Sequence, residues 1–457
     1  MEMEFCKEKC GVFGIQNNEN AAYLAYLGIY ALQHRGQEAA GIVSSDGHTL
    51  HHHAAMGLIN HVFGNPEVFD KLPGTAAIAH NRYSTTGAST PENTQPFLVN
   101  YKSGQMASAH NGNICNAAQL RSRMEDDGSI FVTTSDTEVV MHLLARARSA
   151  TPEGKIGEAL SQCTGAYSII FLSKDTLWGA RDPYGVRPLI LGRLNGSYLL
   201  SSETCSFDLL GAETVREINP GEIIRIKDNK CKSFPIPGAD TVAHHAHCIF
   251  EHIYFSRPDS HVFGDNVDKI RRKLGRVLAR ECPAPQADMV IGVPDSAITG
   301  AIGYSEASGI KYDMGLIRNH YVGRTFIQPE QSSRDLRVRI KFNTVTGVLR
   351  GKHVVVVDDS IVRGTTMKSL VKLLRGAGPA GIHLRITSPP LRHPCFYGID
   401  MPTEKEFIAS NKDIEHIKDY LQVDSLGYLS LQGLLSTVHP YEQEFCVACF
   451  HGCYPAH

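Results

Sequence analysis

The sequence has no run approaching the roughly 18 apolar residues that a helical membrane span requires, so no membrane segment is expected. It also lacks a strong charge of either sign. The formal net charge is -2 over 457 residues, which argues against a general nucleic-acid binder. The amino terminus, Met-Glu-Met-Glu-Phe-Cys-Lys-Glu-Lys, has no apolar h-region and is not rich in Arg and Ser, so neither a secretory signal nor a transit peptide is visible. The chain reads as cytoplasmic, where thiols stay reduced. Its 12 cysteines are therefore not expected to form a disulfide framework, and metal binding or catalysis becomes the question they pose. The length allows two or three domains at about 150 residues each.

What the chain does have is concentrated in residues 353–366, His-Val-Val-Val-Val-Asp-Asp-Ser-Ile-Val-Arg-Gly-Thr-Thr. Val354 to Val357 form an unbroken β-branched run, the pattern of a strand buried on both faces of a parallel sheet. Asp358, Asp359, Ser360, Gly364, Thr365 and Thr366 follow at the carboxyl end of that strand, where open α/β sheets bind ligands. Met367 to Arg375 can continue as a helix. Gly364 permits close backbone approach, and amides at the start of a helix favour an anion, so a phosphate suits this turn. The acid pair calls for a partner rich in hydroxyls or positive charge, such as a sugar phosphate carrying a divalent metal. A lone Asp-Asp pair is as readily a solvated turn, but strand, acid pair, Gly-Thr-Thr loop and helix occur here together.

This stretch resembles the phosphoribosylpyrophosphate loop of type I phosphoribosyltransferases. The resemblance implies that Asp358 and Asp359 contact ribose hydroxyls and help place magnesium. It further implies that Ser360 to Thr366, Arg363 included, wrap the 5-phosphate. Upstream, Met289-Val290-Ile291-Gly292-Val293-Pro294-Asp295-Ser296 repeats the pattern of a buried strand and a polar loop. In the resembled family that loop meets pyrophosphate, with Ser296 reaching the magnesium.

Near the amino terminus Cys10 opens the small, apolar run Gly11-Val12-Phe13-Gly14-Ile15. Polar clusters follow at Leu32 to Glu38, His80 to Gly87, His110 to Asn113 and Ser135 to Glu138, set between apolar stretches as loop-borne site residues usually are. A Cys before a strand is more often a small buried hydrophobe than a nucleophile. Taken with its companions it resembles the glutaminase domain of class II amidotransferases, which belong to the N-terminal nucleophile hydrolases. That resemblance implies an α+β domain of antiparallel sheets layered with helices. Cys10 is then the nucleophile, exposed by removal of a propeptide, residues 1–9, with its own α-amine as base. Arg82 and Asp136 would hold the charges of glutamine, and Asn111 and Gly112 would form the oxyanion hole. The Pro- and Gly-rich stretch Phe234 to Gly238 reads as a linker, dividing residues 10–238 from 239–457.

Beyond the linker, Ile270 to Arg280 has helical spacing. Arg318 to Lys341 is basic, holds Gly323 and Pro329, and shows poor periodicity, as a mobile lid over an anionic substrate would. Tyr321 to Pro329 resembles the flexible loop of the amidophosphoribosyltransferases, in which Lys341 falls near the pyrophosphate. Toward the end come Cys446-Val447-Ala448-Cys449 and Cys453, with Cys395 and Cys248 upstream, the latter directly after His244-His245-Ala246-His247. Four thiolates from distant segments suit zinc or an iron-sulfur cluster, and a C-x-x-C also suits a redox pair. In the cluster-bearing subset of the resembled family the ligands of one four-iron four-sulfur cluster match Cys248, Cys395, Cys446 and Cys449. Cys453 is a rival ligand, because Phe450-His451-Gly452-Cys453-Tyr454-Pro455 departs from the family's ending.

A glutaminase joined to an α/β phosphoribosyltransferase domain in this order is the layout of the amidophosphoribosyltransferase family. It implies transfer of ammonia from glutamine to phosphoribosylpyrophosphate, feedback inhibition by purine nucleotides and a homotetramer. Two other readings stand beside it. One is an amidotransferase with another acceptor, against which the loop at 358–366 argues. The second is a non-catalytic nucleotide-binding protein, against which Cys10, Asn111, Asp358 and Asp359 argue together.

Overall fold

The computed structural model of the chain describes residues 10–83, 90–319, 334–399 and 403–455. The expected propeptide, residues 1–9, and residues 320–333 of the expected lid lie outside them. In the first half, strands β1 (Gly11–Gln16), β2 (Ala39–Ser45), β3 (Leu50–Met56) and β4 (Ala76–Arg82) are followed by β5 (Phe97–Tyr101), β6 (Gly104–Ile114), β7 (Gly165–Leu172) and β8 (Leu177–Arg181). Then come β9 (Ile190–Leu194), β10 (Ser197–Ser201), β11 (Glu213–Glu217), β12 (Glu222–Lys227) and β13 (Lys230–Pro235). They build two antiparallel sheets, ordered β11-β9-β10-β1-β4-β2-β3 and β13-β12-β8-β7-β6-β5. Val12, Val43 and Ile78 of one sheet pack against Ala109, Ile170 and Ile224 of the other, so alternate residues of each strand fill the layer between.

Helices cover the outer faces. Ala21–Ala31 lies on the seven-stranded sheet, and it can do so closely because Gly28 faces the Phe13 ring, where a Cβ would come within 2.4 Å of ring carbon. Asp136–Arg146 and Pro152–Leu160 cover the six-stranded sheet through Val140, Leu144, Ile156 and Leu160.

The second half is built on a parallel sheet ordered Met289–Gly292, His353–Asp358, Gly381–Ile386 and Ser425–Tyr428. Val355 and Val357 enter one core cluster while Val354 and Val356 enter another. That division explains the unbroken valine run, since both faces of the strand are covered and neither tolerates a polar residue. Helices Val267–Glu281 and Thr365–Gly376 follow the expected apolar spacing. Among the described residues no helix is long and apolar enough to cross a membrane.

Two expectations differ from what folds. His80–Arg82 and His110–Asn113 do not sit on loops but lie within β4 and β6, and Asp136 to Glu138 begin a helix; several of the strand-borne polar side chains find internal partners. His80 Nε2 lies 3.1 Å from the His110 carbonyl, and Asn81 Oδ1 accepts from the Gly11 amide at 2.7 Å. The basic segment also does not stay irregular to Lys341. Its end, Arg334–Lys341, is helical, and Leu316–Arg318 pairs antiparallel with Phe342–Thr344. Val338 and Phe342, both 1% exposed, anchor that end in the core.

The two halves meet across a buried ionic chain. Arg35 donates through Nη1 and Nη2 to Glu251 at 3.0 and 2.9 Å and through Nη1 to Glu203, while Arg187 Nη1 reaches Glu251 at 3.2 Å. Ser256 and Ser260 hydroxyls, each at 2.7 Å, donate further hydrogen bonds to Glu251 and Glu203. All four charged side chains are at most 1% exposed. Burial opposes ionisation of both glutamates, yet Arg35 and its neighbours hold their carboxyls below the usual range. Replacing Glu251 by Gln would leave two buried guanidiniums short of charge. The expected cost is about 3–5 kcal/mol, read as a lowered denaturant midpoint at neutral pH. Because the depressed carboxyls contribute above their unfolded pKa, the wild-type advantage should shrink as pH falls below about 4.

Candidate active sites

Cys10 stands just before β1, the strand between β10 and β4. Its neighbours fix it on several sides. Asn81 accepts from the Gly11 amide and donates through Nδ2 to the Leu32 carbonyl at 2.6 Å, while Arg35 Nε donates to the Cys10 carbonyl at 3.4 Å. The thiol itself faces the Tyr83 carbonyl at 3.5 Å. Desolvation pushes it up to about 11, opposed by the Tyr83 contact and by Arg82 and reinforced by Asp136. Both expected glutamine-binding residues are thus within electrostatic reach of the expected nucleophile.

Arg82 ends β4, is 4% exposed, and donates through Nη1 to the Asn93 carbonyl at 2.8 Å. Asp136 begins the helix Asp136–Arg146, which Ser135 caps by accepting from the Thr137 amide. Its Oδ2 accepts from the Ile114 amide at 2.9 Å and lies 3.7 Å from His110 Nδ1. Burial raises the carboxyl, but His110 and the amides outweigh it, so Asp136 stays below the ordinary range. Its charge at the helix start is favoured by the helix dipole as well.

Asn111 is fully buried in β6, and neither atom of its amide has a hydrogen-bond partner. An amide so placed gives up about 1–3 kcal/mol of desolvation unless something else bonds it. Gly112 beside it has φ +148°, and a Cβ there would fall 2.0 Å from the Ala166 carbonyl oxygen, so only glycine fits.

In the parallel half, Asp358 and Asp359 stand at the end of the central strand, each 4% exposed. Ser296 donates to Asp359 Oδ2 at 2.5 Å and Ser360 to Oδ1 at 2.7 Å. Burial holds both carboxyls above the usual range, and Asp359 raises Asp358 further, while Lys341 acts on Asp358 in the opposite direction. Two adjacent buried carboxylates with this little compensation are a fitting donor set for a hard divalent cation. Gly364, at φ +76°, leads into the helix Thr365–Gly376, and the Thr365 hydroxyl is buried without a partner. Arg363 pairs with Glu406 at 2.5 Å.

The far cysteines also come together. Cys248, Cys395, Cys446 and Cys449 line one small cavity with Val186, Phe250, Tyr397 and Tyr454. Cys453 is exposed and outside that lining. Burial raises the thiols of Cys248, Cys395 and Cys446, and Cys248 raises the latter two further. The Arg187 guanidinium opposes all three shifts, and its Nε is buried with no partner. A cation with an unspent donor beside four thiols fits an anionic cluster held there.

Sequence reasoning assigned no role to Arg187, Glu203 or Glu251, and it held Arg35 only as a member of the polar cluster Leu32 to Glu38. Glu251 left a signal as well, a charge set inside the apolar run Cys-Ile-Phe-Glu-His-Ile-Tyr-Phe.

Family models match in the same order as the two halves, a glutamine amidotransferase domain over residues 80–208 and a phosphoribosyl transferase domain over 268–388. An amidophosphoribosyltransferase of Bacillus subtilis is 48% identical over 99% of this chain and 95% of its own. One from Methanothermobacter thermautotrophicus is 46% identical over 98% of this chain and 95% of its own. The chain belongs to the amidophosphoribosyltransferase family. A solved glutamine phosphoribosylpyrophosphate amidotransferase from B. subtilis, complexed with ADP and GMP, superposes with a TM-score of 0.92 at 47% identity, covering 98% of each chain. A structure described as the allosteric regulatory enzyme of purine biosynthesis gives 0.93 at 47% identity, covering 98% of this chain and 96% of that one. The stacked antiparallel half is accordingly the amidotransferase domain of this amidophosphoribosyltransferase, with the N-terminal nucleophile hydrolase fold, and the parallel half is its phosphoribosyltransferase domain.

The raised Asp358 carboxyl has a measurable consequence. A folded-state pKa above the unfolded value costs stability as pH rises, so Asp358→Asn should raise the melting temperature of the ligand-free protein at pH 7. The same change should lower phosphoribosyl transfer by about 100-fold or more, the scale of losing one preorganised electrostatic contact.

Proposed function

We propose that this glutamine-dependent amidophosphoribosyltransferase divides its reaction between Cys10 and the loop at 358–366. Residues 10–238 hydrolyse glutamine, and residues 239–457 pass the ammonia to C1 of phosphoribosylpyrophosphate. The products are 5-phosphoribosylamine, glutamate and pyrophosphate, the first step of de novo purine synthesis. The observation that supports this reading is the buried, unpartnered amide of Asn111 in the same domain whose Arg82 and Asp136 charges act on the Cys10 thiol.

Arg82 takes the α-carboxylate of glutamine and Asp136 its α-ammonium. With its pKa near 11 the Cys10 thiol is protonated at neutral pH and needs a base. Removal of residues 1–9 supplies one, since a free α-amine titrates near ~8. The thiolate attacks the side-chain carbonyl, and the oxyanion that forms is bonded by the Asn111 side chain and the Gly112 N–H. The ammonium of Cys10 returns its proton to the departing ammonia, and water then hydrolyses the thioester.

At the second site, Gly364 and the amides opening the helix at Thr365 receive the 5-phosphate with the hydroxyls of Ser360, Thr365 and Thr366. Arg363 and Lys341 add positive charge toward the phosphate groups. Ser296, Asp358 and Asp359 would hold magnesium, which when bound neutralises the pyrophosphate leaving group. Cys248, Cys395, Cys446 and Cys449 would hold one four-iron four-sulfur cluster, whose use is to fasten the carboxyl-terminal segment. Purine nucleotides as feedback inhibitors, a homotetramer and a cytoplasmic location complete the reading. The relative solved with ADP and GMP supports the first of these.

Cys10→Ala should abolish pyrophosphate release with glutamine and leave it intact with an ammonium salt; loss of both would refute the division into two sites. Asn111→Ala should lower the glutamine-dependent rate by about 10²–10³-fold with the ammonium-dependent rate unchanged. For the cluster, anaerobically purified wild type and Cys453→Ser should share one visible absorption spectrum, and Cys395→Ser should lose it.

A further inference from the structure

The short ladder that joins Cys248 to Cys446 has a second face. Strands His247–Cys248 and Phe445–Cys446 run parallel, with His247 opposite Phe445 and Cys248 opposite Cys446. Successive residues of a strand point to opposite sides. Cys248 turns into the thiol-lined cavity, so His247 turns away from it. On that other side His247, His245 and Glu444 converge, with one ligand atom from each within 4.8 Å of the others. His245 Nδ1 lies 3.8 Å and His247 Nε2 4.0 Å from Glu444 Oε2.

The His247 ring is held in place before any ligand arrives. Its Nδ1 is 2.8 Å from the Gly185 carbonyl oxygen, a contact that requires the proton on Nδ1. The Arg181 Nη2 nearby donates to the same carbonyl at 2.7 Å, a better acceptor than the ring nitrogen 3.2 Å away. Nε2 is thereby left with its lone pair, facing Glu444. A backbone carbonyl fixing the far nitrogen of an imidazole is the usual outer support of a metal-bound histidine. The ring also stacks on Phe263 at 4.5 Å with planes 5° apart, and meets the edge of Phe445 at 5.8 Å. Its plane and direction are therefore set by packing.

Direct hydrogen bonds do not account for the cluster. Both imidazole–carboxylate separations exceed 3.5 Å, whereas a tetrahedral ion with bonds of about 2 Å keeps its ligands about 3.3 Å apart. Small side-chain movements of His245 and Glu444, both nearly half exposed, close that difference. We propose that His245 Nδ1, His247 Nε2 and the Glu444 carboxylate bind a divalent late first-row metal, with zinc as the occupant and water in the fourth position. Two imidazoles and a carboxylate suit zinc, and an N/O site of this kind is distinct from the thiolate set on the opposite face. The ion joins the segment just past the linker at 234–238 to the segment before Cys446. It fastens the same two pieces of chain as the thiols do, without redox chemistry.

The test uses the full-length chain with its iron-sulfur cluster loaded, so that the four thiols are occupied, and cobalt(II) as a spectroscopic stand-in for zinc, read as a difference spectrum in excess magnesium so that the carboxylates of the phosphoribosyl site are occupied. One equivalent of cobalt(II) should bind with visible d–d absorption and no thiolate-to-metal charge-transfer band, and one equivalent of zinc should displace it. His245→Ala and Glu444→Gln, whose side chains are partly exposed, should each weaken binding by at least about tenfold with unchanged circular dichroism and melting temperature. Three outcomes overturn the site: no saturable cobalt(II), binding accompanied by thiolate charge transfer, or equal affinity in the variants. Zinc should also slow proteolysis of the carboxyl-terminal segment in wild type and not in Glu444→Gln; equal rates with and without zinc would overturn the fastening role.

Discussion

The chain Glu203–Arg35–Glu251–Arg187 is the constraint on which both halves depend. Each of these charges is out of water, and each is tolerable only because its neighbour is charged and close. Arg35 also donates to the Cys10 carbonyl, and Arg187 Nη2 donates to the Tyr397 carbonyl at 2.7 Å. The same salt links therefore bear on Cys10 at one end and on the wall of the thiol cavity at the other.

The segment around Tyr397 carries that connection further. The Phe396 carbonyl accepts from Asn113 Nδ2 at 2.8 Å, and Gly398 lies against Gly112 so closely that a Cβ would be 3.0 Å from its carbonyl carbon and oxygen. The end of β6 around Gly112 and Asn113 is thus packed against a loop of the transferase half that begins at a cavity-lining cysteine.

Local order at both sites comes from regular structure. Arg82, Asn111 and Gly112 are strand residues, Asp136 opens a helix, and Asp358 ends a strand. Groups mounted this way hold unfavourable states that a loop would relax: a thiol pushed up by burial, an amide with no partner, two carboxylates side by side. Each is a local cost within the ligand-free fold.

The sequence by itself determined the order of the two domains, the valine strand with its acid pair, and the helices on either side, because hydrophobic period and turn chemistry are written in consecutive residues. It also named Cys10, Arg82, Asn111, Gly112, Asp136 and the four inward cysteines, through motifs. It misplaced three polar clusters onto loops and kept the segment to Lys341 irregular, since a polar residue in a strand or a helix start and a helix anchored by Val338 are visible only when their distant partners are. Tertiary structure alone decided that the Arg187 charge acts on three of the thiols, that Cys453 lies outside the cavity lining, and that His245, His247 and Glu444 meet. Those facts depend on contacts between residues up to about two hundred positions apart, such as Arg35 with Glu251, and no local pattern encodes such a distance.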